Sequence, residues 1–157
     1  MPKKFTASAK QLRPDSKYNS KLVAKFTNSL MWDGKKSVAQ KILYDAMAMM
    51  EKRIKDVPPL EAFEAALGNV QPMIEVRSRR VGGSTYQVPT QVKPSRQRAL
   101  AFRWIIQASR GKKGKPMSQC LGEELCAAYK REGAAMTTRD NVHRMAEANK
   151  AFSHFAW

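Results

Sequence analysis

The sequence predicts a mainly α-helical fold, a six-helix bundle with one protruding two-stranded antiparallel β-hairpin between helices three and four. Three observations predict it. Six segments carry apolar residues at three- and four-residue spacing between cap and stop signals. One stretch, residues 73–92, alternates instead, with Val, Ile, Thr and Tyr on either side of Gly82-Gly83. The 157 residues, 43% of them hydrophobic, are enough for one core without disulfide or metal staples.

Residues 1–19 hold Lys3, Lys4, Lys10, Arg13 and Lys17 against Asp15 alone, with no hydrophobic period. This reads as a basic arm that orders on a partner, the alternative being a frayed solubilising tail. Residues 20–157 then form a single helical domain. Ser20 caps a first helix whose buried stripe is Leu22, Val23, Phe26 and Leu30, ending at Trp32-Asp33-Gly34. Lys35 and Lys36 open the second, with Val38, Ile42, Ala46 and Met49 inside and Lys41, Lys52 and Arg53 outside. Cations at a helix start oppose its dipole. A phosphate partner explains them, and so does a solvated face.

Pro58-Pro59 starts the third helix, Leu60 to about Val70, with Leu60, Phe63, Ala66 and Leu67 in the core and Gly68 and Pro72 closing it. In the hairpin, Ile74 and Val76 alternate with Glu75 and Arg77, and Tyr86 and Val88 with Gln87, so one face of the base is expected to pack on the body. Arg79 and Arg80 fall near its tip. Strands of about seven residues at roughly 3.3 Å each project some 20 Å, which suits a probe into something anionic.

Pro94 begins the fourth helix, Ser95 to about Arg110, whose Leu100, Ala101, Phe102, Trp104, Ile105, Ile106 and Ala108 cover most of its circumference. Its polar arc holds Arg96, Arg103, Gln107 and Arg110. The seven-residue spacing puts the three arginines on one face, where they match phosphates bidentately or meet carboxylates on neighbouring helices. Gly111-Lys112-Lys113-Gly114-Lys115-Pro116 is a basic loop that lacks the preceding strand and the ending of a phosphate-binding loop. A fifth helix, Met117 to Glu132, buries Met117, Leu121, Leu125 and Ala128 and stops at Gly133. Thr137 with Asp140 reads as a capping box for the sixth, Thr138 to about Ala151, with Val142, Met145 and Ala146 inward. The tail Phe152-Ser-His-Phe-Ala-Trp157 either stacks on bases or tucks against the body.

Charge bounds the function. Lys and Arg total 29 against 13 acids, giving +16 and a pI near 10.2. Between Glu75 and Glu123 no carboxylate interrupts eleven lysines and arginines. A polyanion relieves such self-repulsion, and nucleic acid leads over an anionic membrane. No apolar run approaches the ~18 residues of a spanning helix, and the N-terminus lacks the apolar region of a signal peptide. Catalysis finds little material. Cys120 and Cys126, six apart on different helix faces, match neither a redox pair nor a zinc spacing and read as fillers. His143 and Glu147 have the spacing of a metal pair without a third ligand, which favours a solvent- or RNA-facing histidine. Neither a nucleophile elbow nor a clustered acidic pair supports an enzyme.

Five runs in order, Asp33-Gly-Lys-Lys-Ser37, Glu61-Ala-Phe-Glu64, Arg79-Arg-Val-Gly-Gly-Ser-Thr-Tyr-Gln-Val-Pro89, Ala99-Leu-Ala-Phe-Arg-Trp-Ile105 and His143-Arg-Met-Ala-Glu-Ala-Asn-Lys-Ala-Phe152, resemble the bacterial-type ribosomal protein seven family of the small subunit. The resemblance covers nearly the full length. It implies a structural protein without catalytic residues, metal or cofactor, which binds the 3′ major domain of small-subunit ribosomal RNA early and organises assembly of the subunit head. Matching positions imply RNA contacts at the N-terminal arm (Lys3, Lys4, Lys10, Arg13), at Lys35 and Lys36, and at Lys93, Arg96 and Arg98. The arginine stripe and basic loop add Arg103, Arg110, Lys112, Lys113 and Lys115, and the C-terminal signature adds His143, Arg144 and Lys150. The hairpin, with Arg77, Arg79, Arg80, Gly82, Gly83 and Tyr86, is expected near exit-site transfer RNA and the messenger path. Neighbouring head and platform proteins are implied partners, on a bacterial cytoplasmic ribosome or in an organelle. Two departures stand out: Lys3 and Lys4 replace an arginine cluster of many relatives, and Ala156 precedes Trp157 where arginine is common. On charge alone, a histone-like nucleic-acid compactor is the alternative.

Overall fold

A computed structural model describes residues 12–155 of the chain. Its elements are α1 (Lys21–Leu30), α2 (Lys36–Arg53), α3 (Pro59–Val70), β1 (Ile74–Val81), β2 (Ser84–Gln91), α4 (Pro94–Gly111), α5 (Met117–Tyr129), α6 (Ala134–Ala148) and a closing 3₁₀ segment, Lys150–Phe155. The order is the one the sequence predicts, with the hairpin between α3 and α4.

Helix α5 runs through the middle, packed by α2, α3, α4 and α6. Its closest neighbour is α2. A Cβ on Gly122 would stand 2.8 Å from the Met49 Sδ, so the helices approach closely there and a larger residue would have to displace the Met49 thioether. The core fills with Phe26 of α1 edge-on to Phe63 of α3 and Phe102 of α4, at centroid distances of 5.3 and 5.2 Å, over Leu43, Met47 and Leu125.

Several boundaries follow the sequence reading. Ser20 caps α1 by accepting from the Leu22 N–H at 3.3 Å. Others move. The buried arc of α2 is Ala39, Leu43, Ala46, Met47 and Met50, while Val38 is 54% exposed and Ile42 and Met49 are half-buried. One residue is about 100° of helix, and the contact with α5 sets the face. Leu60 is half-buried at the core margin, and Gly68 is helical rather than a stop, with Gln71 at the C-cap. Helix α5 ends at Tyr129, before Glu132. There Arg131 takes the left-handed conformation (φ 63°), with its N–H on the Ala128 carbonyl and that of Glu132 on Ala127 at 2.8 Å. Helix α6 starts at Ala134, ahead of the expected Thr138. Thr137 and Thr138 lie inside it and donate back to the carbonyls of Gly133 and Ala134 at 3.0 and 2.9 Å. Met145 is 52% exposed and Val142 half-buried, leaving Ala135, Met136 and Ala146 as the buried face.

The hairpin pairs Ile74 with Gln91 through to Val81 with Ser84, closed by Gly82 and Gly83 at φ 58° and 87°, a two-residue turn that suits glycine. Directly paired residues share a face. Tyr86 and Val88 therefore lie with Glu75, Arg77 and Arg79, and Ile74 and Val76 fall on the other side with Gln91 and Pro89. The expectation of one apolar packing face is corrected by this register. Glu75, not Ile74, is the buried residue of β1.

Both ends of the described chain tuck in. Asp15 accepts from the Tyr44 hydroxyl at 2.8 Å and from the N–H groups of Lys17 and Tyr18, so residues 12–19 sit against α2. Burial alone raises the Asp15 carboxyl, but the bonds from Tyr44, Tyr18 and Lys17 outweigh it and hold it below the ordinary range. At the other end Phe152 and Phe155 pack on Tyr86, with centroids 5.2 and 5.3 Å away. Those two aromatic residues are spent on the hairpin.

Candidate nucleic-acid interface

Where α1 and α4 lie side by side, a groove is lined by Lys25, Ser29, Phe102, Arg103, Gln107 and Arg110. Beyond Arg110 it meets a second hollow, lined by Leu30, Trp32, Lys35, Val38, Ile42, Arg110 and Met117. Neither lining contains a carboxylate. Arg110 joins the two. Its Nη2 donates to the Leu30 carbonyl at 3.2 Å, serving an end of α1 that helix geometry leaves unsatisfied, and its guanidinium lies 5.1 Å from the Trp32 ring centre. The turn from α1 into α2 places Lys35. Its N–H bonds the Trp32 carbonyl at 2.9 Å across Asp33 and Gly34, both left-handed at φ 50° and 72°.

The predicted stripe divides. Arg103 and Arg110 share the groove, whereas Arg96 turns to Glu75 at the hairpin root (Nε–Oε2 3.3 Å), which Arg77 also pairs. A carboxylate partner thus exists, on a strand rather than a helix. Of the basic loop, Lys112 meets the Glu124 Oε2 at 2.9 Å and Lys115 the Glu123 Oε1 at 2.7 Å, while Lys113 is exposed without an ion pair among the described residues. The Lys115 bond, with further help from Lys112 and Arg53, holds the Glu123 carboxyl below its ordinary range. Arg13, Lys36, Lys93, Arg98, Arg144 and Lys150 are exposed, as is Arg80 near the tip, and Arg79 and Tyr86 are paired across the strands and half-buried. His143 is half-buried, and its Nε2 accepts from the Met73 N–H at 3.2 Å, clasping α6 to the start of β1. Lys3, Lys4 and Lys10 lie outside the described residues.

Lys25 and Trp32 are the residues of this surface that sequence reasoning does not single out. Lys25 lies on the exposed side of α1, and only the packing of α4 reveals its neighbours. Trp32 carries a signal: it follows the last stripe residue, Leu30, and precedes an Asp-Gly turn, an unusual place for a large ring.

Among the described residues no group of three or more His, Cys, Asp or Glu could hold a metal ion, and no helix is long and apolar enough to cross a membrane. Cys120 and Cys126 are buried, and burial pushes the Cys126 thiol up against the pull of Arg53 and Lys130.

A family model described as ribosomal protein S7p/S5e matches residues 2–150. The chain belongs to this family. It is similar to the small ribosomal subunit protein uS7 of Rhodopirellula baltica, 56% identical over 155 residues, 98% of this chain and 99% of the relative. It is 54% identical to that of Desulfatibacillum aliphaticivorans over the whole of both chains. With that of Thermosipho africanus it shares 53% over 151 residues, 96% and 97% of the two. As a member of this ribosomal family it is an RNA-binding structural protein of translation and not an enzyme.

Proposed function

We infer that the chain is a primary RNA-binding protein of the small ribosomal subunit. It docks on the 3′ major domain of the ribosomal RNA and nucleates assembly of the subunit head. The observation that carries the docking is the pair of adjoining hollows between α1, α2 and α4, whose linings hold Lys25, Arg103, Arg110 and Lys35 and no carboxylate. Folded RNA presents phosphates at fixed spacings, so a row of cations carried on packed helices reads shape more than base edges. The hairpin serves a separate task near exit-site transfer RNA and the messenger path. Its root is fastened to the body by Glu75 and His143, and Phe152 and Phe155 brace Tyr86 nearer the tip, which supports a rigid arm rather than a primary RNA anchor. The chain's neighbours are head and platform proteins of a bacterial cytoplasmic ribosome.

The test is a binding titration against a 3′-domain RNA fragment and a scrambled RNA of equal length, across a salt series. The parent should prefer the fragment at moderate salt. Replacing Lys25 and Arg103 by Ala should weaken binding more than replacing Lys52 and Arg53, and should flatten the salt slope by about 0.9 for each phosphate that is no longer neutralised. Equal weakening from the two pairs would sink the α4 surface as the docking face.

A further inference from the structure

Trp32 is 70% exposed, and Val38 beside it on α2 is 54% exposed. Single exposed apolar residues are ordinary. These two, however, line one hollow of about 280 Å³, just under the usual range for small-ligand pockets, with Ile42 and Met117 also in its wall and Lys35 and Arg110 at its border. The indole is held by geometry rather than by burial. Its backbone is fixed by the Trp32–Lys35 turn, and the Arg110 guanidinium, tied to the Leu30 carbonyl, lies against one ring face.

We propose that this hollow is a stacking site for one unpaired nucleotide of RNA, its base on the open face of Trp32 beside Val38 and its phosphate on Lys35. The ligand must be planar and apolar at one end to suit the indole, and anionic at the other to suit two cations with no carboxylate in the lining. An apolar protein side chain would satisfy the first condition only. A duplex stem would satisfy the second only, because its bases are already stacked. The inference rests on the reading of the chain as an RNA-binding protein and adds to it a single-stranded contact.

Affinities of the full chain and of Trp32→Ala, Trp32→Leu, Trp32→Phe and Lys35→Ala are measured for the 3′-domain fragment, a scrambled RNA and a short oligouridylate, with thermal melting of each variant. Ala and Leu at position 32 should weaken binding about 5- to 160-fold, the range of one base–aromatic stack, with the salt slope unchanged. Phe should retain most of the affinity. Lys35→Ala should flatten the slope on oligouridylate by about 0.7. Parental affinity in both Trp32→Ala and Trp32→Leu overturns the site, and so does retention by Leu alone, which would mark an apolar seat for a protein. Weakening on the fragment only supports a site that needs the nucleotide presented by folded RNA. A parent that fails to prefer the fragment over scrambled RNA, with variants that still bind oligouridylate more weakly, leaves the stacking site standing and overturns the ribosomal RNA reading.

Discussion

Glu124 shows how much one side chain can organise. It is 1% exposed, its Oε1 accepts from the Ala135 N–H at 2.9 Å, and its Oε2 meets Lys112. The carboxylate thus caps α6 from another helix and closes the basic loop at once. Lys112 keeps 35% of its side chain in water, which discounts the ion pair. Glu124→Ala should therefore cost about 2–3 kcal/mol in urea unfolding, from the missing cap and the orphaned N–H, and Glu124→Gln clearly less, since an amide oxygen still accepts. Equal costs would mean that charge, not the acceptor, matters. The residue was legible in part. Leu121, Glu124, Leu125 and Ala128 share a helix face, so an acid on the apolar stripe of α5 asks for a partner. What it binds was not legible, because Ala135 and Lys112 reach it only through the packing of α6 and the loop.

At the scale of elements, residues 12–19 show a contact that hydrophobic patterning does not announce. Residues 12–19 have no apolar period, yet Asp15 fastens them to Tyr44 of α2, and Lys17 lies over the Tyr18 and Tyr44 rings. No periodicity could announce a link made by one acid and one hydroxyl 29 positions apart. Because the folded Asp15 carboxyl lies below its ordinary value, its contribution is present above about pH 3.8 and is lost as pH falls through the lower folded value. Removing the hydroxyl with Tyr44→Phe should cost about 1 kcal/mol near neutrality, and the gap to the parent should close in that acid range. A gap that persists to strong acid would show that the Tyr44 hydroxyl does not depend on the ionised carboxylate for its contribution. The hairpin teaches the same lesson: its turn was legible from Gly82-Gly83, whereas the burial of Glu75 depended on the register and on Arg96 arriving from α4.

For the whole molecule, charge dominates. The net +16 is offset locally by few acids, and among the described residues the ion pairs draw on Glu75, Glu123, Glu124 and Asp140. Self-repulsion should then be screened as salt rises, and the melting temperature of the free protein should climb by about 2–4 °C for each kcal/mol gained between low and physiological salt. RNA affinity should fall over the same range. A melting temperature that drops with salt would place the balance in the local pairs. The sequence by itself determined the helical class, the hairpin with its turn, the polyanionic kind of partner and the family, because periodicity, turn chemistry and composition are local or additive properties. Only the tertiary structure decided which cations remain available. Arg96, Lys112 and Lys115 each meet a carboxylate, while Arg103 and Arg110 join Lys25, Lys35 and Trp32 in two adjoining hollows whose linings hold none. Pairing of charges is a matter of distance between elements, and helix periodicity carries no information about which neighbouring element brings the acid.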